Sequence, residues 1–190
     1  MNLEENKIYG FVGPNGIGKS VFFKIISGIM KASSGDVIYN GKVIGKDIDF
    51  LTDLGYMDNN AGFIQDLNGF ENLKLLANIR HKISEEDIKK LMLELDLDPD
   101  NKTKVRDYSL GMTQKLSFIQ CIMEDPKVII FDEPFNGMDK TTVKKVKEII
   151  LNLKSQNKII LLTSHIINDI DEIADIVYEF DNHHIELMKN

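Results

Sequence analysis

The chain has 190 residues, enough for one core of ordinary size and a small further lobe. Hydrophobic residues make up 43 % and charged residues 28 %, and the net charge of −7 argues against nucleic-acid binding, which relies on lysine and arginine neutralising phosphates. The single cysteine, Cys121, excludes an intramolecular disulfide, the apolar runs fall far short of the ~20 residues that span a bilayer, and no leader-like segment opens the chain, so a cytoplasmic address is expected.

The first predicted element is a short apolar strand, Lys7–Val12, which enters a glycine-dense turn. Beyond the turn, Val21, Phe22, Phe23, Ile25 and Ile26 have the spacing of a buried helix. Between them, Gly13, Pro14, Asn15, Gly16, Ile17, Gly18, Lys19 and Ser20 match G-x-x-x-x-G-K-[ST], the phosphate-binding loop. Glycines allow the backbone to bend until successive N–H groups point inward at a phosphate, and the helix start adds its positive end. Lys19 is expected to reach the β- and γ-phosphates, and the Ser20 hydroxyl to ligate Mg²⁺. A nucleoside triphosphate is therefore the expected ligand.

Val37, Ile38 and Tyr39 read as a strand, Asn40 and Gly41 as a hairpin turn, and Leu54–Met57 as a further strand. The pattern then becomes helical. Asn68 precedes Glu71 by three residues, a capping box leading into Leu73, Leu75, Leu76 and Ile79. Ser84 opens a second helix with Ile88, Leu91, Met92 and Leu95 on one face. Strand and helix alternation returns with Val128–Phe131, a helix over 142–154, a strand over 159–163, a helix over 167–174 and a strand over 176–180. The strands are apolar throughout, so both sheet faces should be covered. The expected fold is α/β, a P-loop NTPase with a mainly parallel sheet flanked by helices, its core lobe at 1–59 and 126–190 and an inserted helical subdomain at 60–125.

Val128–Phe131 delivers Asp132 and Glu133 at a strand's carboxyl end, where ligands of open α/β sheets bind. A carboxylate there suits Mg²⁺ on the side opposite Ser20, and its neighbour could polarise a water. Other clusters have blander readings. Asp96, Asp98, Asp100 and Asp107 fit a calcium loop poorly, because Asn101 replaces the turn glycine and Lys102 and Lys104 intrude. His183 and His184 read as a solvated turn, Cys121 as core, and the lysines of 140–147 as a solvated helix face.

Residues 13–20, then Tyr108, Ser109, Leu110, Gly111, Met112, Thr113 and Gln114, then Ile130 to Pro134, then Asn136, Gly137, Met138 and Asp139, and finally Thr163, Ser164 and His165 together resemble the ATP-binding subunit of an ABC transporter. The likeness covers nearly the whole chain, and the signature form is similar to that of bacterial bacitracin and antimicrobial-peptide resistance exporters. The resemblance implies a head-to-tail dimer, with an identical or paired subunit, that sandwiches two ATP molecules. In it Ser109, Gly111 and Met112 would meet the other subunit's γ-phosphate and Asp139 would act across the dimer. It also implies Glu133 as general base, His165 at the γ-phosphate, and Asp132, Ser20 and Asn59 toward Mg²⁺. A separate transmembrane permease subunit is implied, docking near residues 59–71 on the inner face of the membrane. Phe63, Ile64, Leu67 and Phe70 are the expected contacts there, although core packing explains them equally.

The chain departs from the family pattern at Asn59, where a glutamine is usual, at Val21, where a hydroxyl residue is usual, and at Leu110 and Met112. Only twelve residues precede Gly13, too few for the family's two strands and base-stacking aromatic. A truncated or divergent chain is expected, with ATP binding weakened because such stacking is worth ~1–3 kcal/mol. Soluble ATP-gated clamps and low-turnover nucleotide sensors share the same motifs and stand as alternatives.

Overall fold

The computed structural model describes residues 1–58, 62–181 and 184–189. Among these, the elements run β1 (Lys7–Val12), α1 (Lys19–Ser27), β2 (Ile38–Tyr39), β3 (Lys42–Val43), β4 (Leu54–Met57), α2 (Gly69–Arg80), α3 (Glu85–Glu94), a 3₁₀ turn (Val105–Asp107), α4 (Leu110–Ile122), β5 (Val128–Phe131), α5 (Lys140–Lys154), β6 (Ile159–Ser164), α6 (Ile167–Asp171), β7 (Ile176–Asp181) and β8 (His184–Lys189). Six strands form one sheet in the order β4-β5-β6-β1-β7-β8, parallel except for the final β7–β8 pair. The remaining two strands make a separate hairpin. Its turn residues Asn40 and Gly41 both take positive φ, 50° and 75°, the twist that suits a two-residue connection.

Alternate residues of each central strand enter opposite cores, as the pleat requires. Ile8, Val12, Ile129, Phe131, Ile160 and Leu162 face a core shared with Phe118, Ile119, Val146, Ile150 and Ile170. Tyr9, Phe11, Val128, Ile130 and Leu161 face the other, with Phe23 and Leu51. Aromatic rings fill that second core: Phe11 has ring centroids of Phe22, Phe23 and Tyr178 within 5.3–5.5 Å. The expectation of an α/β sheet covered on both faces is met.

Helices α2 to α4 occupy the connection between the neighbouring strands β4 and β5. The last of them returns to the sheet. Phe118 stacks on Phe131 with centroids 5.0 Å apart, and a Cβ on Gly55 would stand 2.0 Å from the Cys121 carbonyl oxygen. Any side chain at Gly55 would therefore push α4 off β4. Cys121 itself is buried and 3.7 Å from the Ile130 carbonyl, and burial pushes its thiol pKa well up, which fits the core reading.

The structure corrects several expectations. His184 begins β8 instead of lying in a turn, because Ile185 and Leu187 register against Phe180 and Tyr178; His183 lies outside the described residues. Phe63 is 7 % exposed and belongs to the core, and Phe70 packs against the same cluster, whereas Ile64 is 52 % exposed. Helix α5 starts two residues earlier than expected, at Lys140, and α6 stops at Asp171. Among the described residues no helix is long and apolar enough to cross a membrane.

The predicted capping box at α2 is present: Asn68 Oδ1 accepts from Glu71 N–H at 2.9 Å and Glu71 Oε2 accepts from Asn68 N–H at 2.9 Å. Asn68 is also buried, so its loss leaves backbone donors unmet. Asn68→Ala is expected to cost about 1–2 kcal/mol, lowering the melting temperature by roughly 2–8 °C. An unchanged thermal melt would contradict this.

Candidate functional site

The site begins where β1 ends. Gly13, Gly16 and Gly18 hold φ values of 150°, 81° and 112°, a backbone path that side-chain-bearing residues rarely follow. Gly18 caps α1 with no side-chain bond, and the first intrahelical bond runs from Phe22 N–H to Gly18 O at 2.9 Å. The N–H groups of Lys19, Ser20 and Val21 are thus left unspent by the helix. Ile17 anchors the loop by packing its side chain into the aromatic core. Lys19 is only 6 % exposed: its Nζ donates to Gly13 O at 2.7 Å and Pro14 O at 3.3 Å, and stands 3.5 Å from Glu133 Oε1.

The other wall is the carboxyl end of β5. Asp132 is 1 % exposed, and its Oδ1 accepts from the Thr163 hydroxyl at 2.8 Å while its Oδ2 is buried with no hydrogen-bond partner among the described residues. Glu133 takes φ 54°, an uncommon conformation for a residue with a side chain, and its N–H donates to Thr163 Oγ1 at 2.8 Å. Glu133 Oε2 lies 2.8 Å from His165 Nδ1 and accepts from His165 N–H at 3.3 Å, whereas among the described residues Oε1 has only the Lys19 ion pair. Asn15, Gly16, Gly18, Lys19, Ser20, Val21, Asp132 and Glu133 together line a cleft of about 210 Å³. A larger hollow of about 570 Å³ between Met1, Leu3 and Tyr39 has neither a helix start nor any residue of the phosphate-binding loop on its wall, so chemistry rather than size picks out the cleft.

One buried ammonium faces two buried carboxylates, and two of their oxygens have no hydrogen-bond donor among the described residues. Each such atom costs about 1–3 kcal/mol unless a ligand or ion completes it. The donors at hand, the Ser20 hydroxyl and Asp132 Oδ2, are hard oxygens, which fit a divalent cation such as Mg²⁺. The unspent N–H groups opposite fit phosphate oxygens.

Other expected site residues stand elsewhere. Ser109 is exposed and caps α4, its Oγ accepting from Met112 N–H at 3.2 Å. A Cβ on Gly111 would lie 2.9 Å from Gly137 O, so the start of α4 presses against the turn at 136–139. Met112 packs against the helical side of the core. Asp139 caps α5, accepting from Thr141 N–H at 2.9 Å, Thr142 N–H at 3.0 Å and the Thr142 hydroxyl at 2.7 Å. None of these four lines the cleft at Glu133. Asn59 lies outside the described residues; Asp58 beside it is 3.6 Å from Lys24 of α1.

The residue that sequence reasoning passed over is Thr163. It was visible only as part of a motif ending in His165, and a threonine within an apolar strand is ordinary by propensity. Its signal was positional, two residues before His165.

A family model described as ABC transporter matches residues 1–136. The chain belongs to the ABC transporter family. It is an ATPase of that family. Its sequence is 34 % identical to an uncharacterized ABC transporter ATP-binding protein of Bacillus subtilis, YybJ, covering 97 % of this chain and 84 % of the relative. It is 32 % identical to the lantibiotic transport ATP-binding protein SrtF of Streptococcus pyogenes, over 93 % of this chain and 76 % of that one. The bacitracin transport ATP-binding protein BcrA of Enterococcus faecalis is 31 % identical over 93 % of this chain, which spans 58 % of BcrA. Among solved structures, the dimeric ATP-binding cassette MJ0796 bound to ADP and Pi superposes with a TM-score of 0.87 at 19 % identity, covering all of this chain and 88 % of that one, which establishes the shared ABC cassette fold.

Hydrogen bonds from Thr142 and Thr141 hold the Asp139 carboxyl below its ordinary value of 3.8. A folded-state value lower than the unfolded one contributes stability that is present above the ordinary value and lost as pH falls through the lowered one. Thermal stability measured from about pH 5 to pH 2 should therefore decline less steeply in Asp139→Asn than in the parent. Parallel declines would show that the cap carries no linked proton.

Proposed function

We propose that this chain binds ATP with Mg²⁺ in the cleft between residues 13–20 and Asp132–Glu133, hydrolyses it in a cassette dimer, and so drives a separate membrane-spanning subunit. The observation that carries the reading is Lys19, buried at the start of α1 and facing Asp132 and Glu133 across one small cleft.

The chemistry follows from that placement. Phosphate oxygens of ATP accept from the loop N–H groups that α1 leaves unspent, and Lys19 exchanges the Gly13 and Pro14 carbonyls for the β- and γ-phosphates. Ser20 and Asp132 Oδ2 would hold Mg²⁺, and Asn59 stands with them as the third expected ligand. The cation supplies positive charge against the phosphate oxygens. Glu133 accepts a proton from water as the water oxygen bonds to the γ-phosphorus and the bond to the ADP oxygen breaks. His165 keeps the Glu133 carboxylate aimed, since it already holds Oε2 from both its ring and its backbone. The positioning is the catalysis, because phosphoryl transfer asks little covalent chemistry of the protein.

The exposed start of α4 completes the proposal. Ser109, Gly111 and Met112, with Asp139 behind them, stand away from their own chain's cleft, so they serve the ATP of a second cassette. The dimeric cassette MJ0796 has this fold, which supports the same assembly here. The permease would meet the 59–71 segment and α2, where Ile64, Leu75 and Ile79 are 52 %, 47 % and 74 % exposed. Matched relatives named for lantibiotic and bacitracin transport support a transporter of that kind, with this chain on the cytoplasmic face.

Phosphate release from ATP tests the reading directly. The parent should turn over in Mg²⁺, and Glu133→Gln should lower turnover by about 100-fold or more while ATP binding persists. Turnover unchanged in Glu133→Gln would remove Glu133 from the chemistry and the proposal with it.

A further inference from the structure

Strand β6 lies between the strands that carry the two halves of the cleft, with β1 on one side and β5 on the other. Its register places Thr163 opposite Phe11, the penultimate residue of β1, and Leu162 opposite Phe131, the last of β5. Thr163 therefore sits one step past Phe131, level with Asp132. It is fully buried, and its hydroxyl is engaged on both sides: it accepts from Glu133 N–H at 2.8 Å and donates to Asp132 Oδ1 at 2.8 Å.

We infer that Thr163 is a positioning residue for the reaction proposed above: its hydroxyl occupies Asp132 Oδ1, so that Oδ2 alone is presented to the divalent cation, and holds the Glu133 peptide in its left-handed turn. The inference rests on that functional reading and adds a residue to it. A hydroxyl has one hydrogen, and the Glu133 N–H must be the donor in its own bond, so the hydrogen of Thr163 is committed to Asp132. The carboxylate cannot then rotate to share its oxygens evenly. Oδ2 is the oxygen left buried and without a hydrogen-bond partner among the described residues. Thr163 is itself β-branched and in a strand, so its own rotamer is restricted. Packing alone asks only for a side chain of this shape, which valine supplies without the hydroxyl. The paired bonds to Asp132 and Glu133 are what packing does not explain. They convert two adjacent acidic residues into two different tools, one oxygen for a cation and one carboxylate for a water.

Calorimetric titration of ATP, in Mg²⁺ and separately in EDTA, reads this without turnover if all variants carry Glu133→Gln, which keeps the backbone N–H. The Glu133→Gln parent should bind ATP more tightly in Mg²⁺. Adding Thr163→Val should remove about tenfold or more of that Mg²⁺-dependent gain while affinity in EDTA stays within about twofold. Thr163→Ser, which restores a hydroxyl, should recover the gain to within about threefold. A packing role would lower both titrations together and would not respond to serine in this way. Should Thr163→Val fail to fold, Thr163→Ala carries the same comparison. The full Mg²⁺ gain in the variant lacking the hydroxyl overturns the inference. No Mg²⁺ gain in the Glu133→Gln parent overturns the functional reading and this inference together, and it is seen before Thr163 is touched.

Discussion

The structure depends on an unfinished charge balance at the mouth of a parallel sheet. Lys19 is withdrawn from water beside Glu133, and Asp132 is deeper still, so the cleft holds one cation against two carboxylates. Isolated buried charges are costly, and a lysine held on two backbone carbonyls and a 3.5 Å ion pair is only partly compensated. The N–H groups at the start of α1 add uncommitted positive dipole on one wall, and Asp132 Oδ2 adds uncommitted negative charge on the other. A polyanion accompanied by a divalent cation satisfies both walls at once. That is the physical reason behind the proposal of ATP with Mg²⁺ there.

Everything that brings the walls together is set by strand order. The loop leaves β1 and the two acids leave β5, and β6 keeps these strands one place apart. Parallel strands deliver their carboxyl ends to one edge of the sheet, so the loop, the acids and His165 emerge on the same side. Two cores fix the sheet against rotation of this geometry: the aromatic cluster under α1, and the layer of α4 and α5 opposite. Strain is kept at the point of use, since Glu133 sits at φ 54° two residues beyond a strand whose residues are all buried.

Much of this was legible because it is local. The loop at 13–20 follows from glycine spacing, the capping box at Asn68 from a four-residue pattern, and the hairpin at Asn40 and Gly41 from a dipeptide. The acids were legible as the end of an apolar run. What could not be read depends on pairing and packing partners, adjacent in sequence for β8 and distant for the others. β8 exists because Ile185 and Leu187 find β7, and nothing in residues 184–189 announces that pairing. Gly55 reads only as part of a strand and Gly111 only as part of a signature motif, yet their constraint is a carbonyl belonging to Cys121 and to Gly137 respectively. Contact surface and core packing explain Phe63 equally in the sequence, and the structure places it in the core, because exposure is a property of the packed molecule. Thr163 acts through Asp132 and Glu133, some thirty residues away in sequence.

The same geometry separates the start of α4 from the cleft in its own chain, which makes a second cassette part of the account. Ser109 and Gly111 are placed on an exposed helix start, locked to the turn ending in Asp139, and such a start favours an anion brought to it from outside. The most direct measurement is the solution mass of the Glu133→Gln variant with and without ATP and Mg²⁺. The account predicts a monomer that doubles in mass when both are added. A variant that binds ATP yet keeps the monomer mass would contradict it.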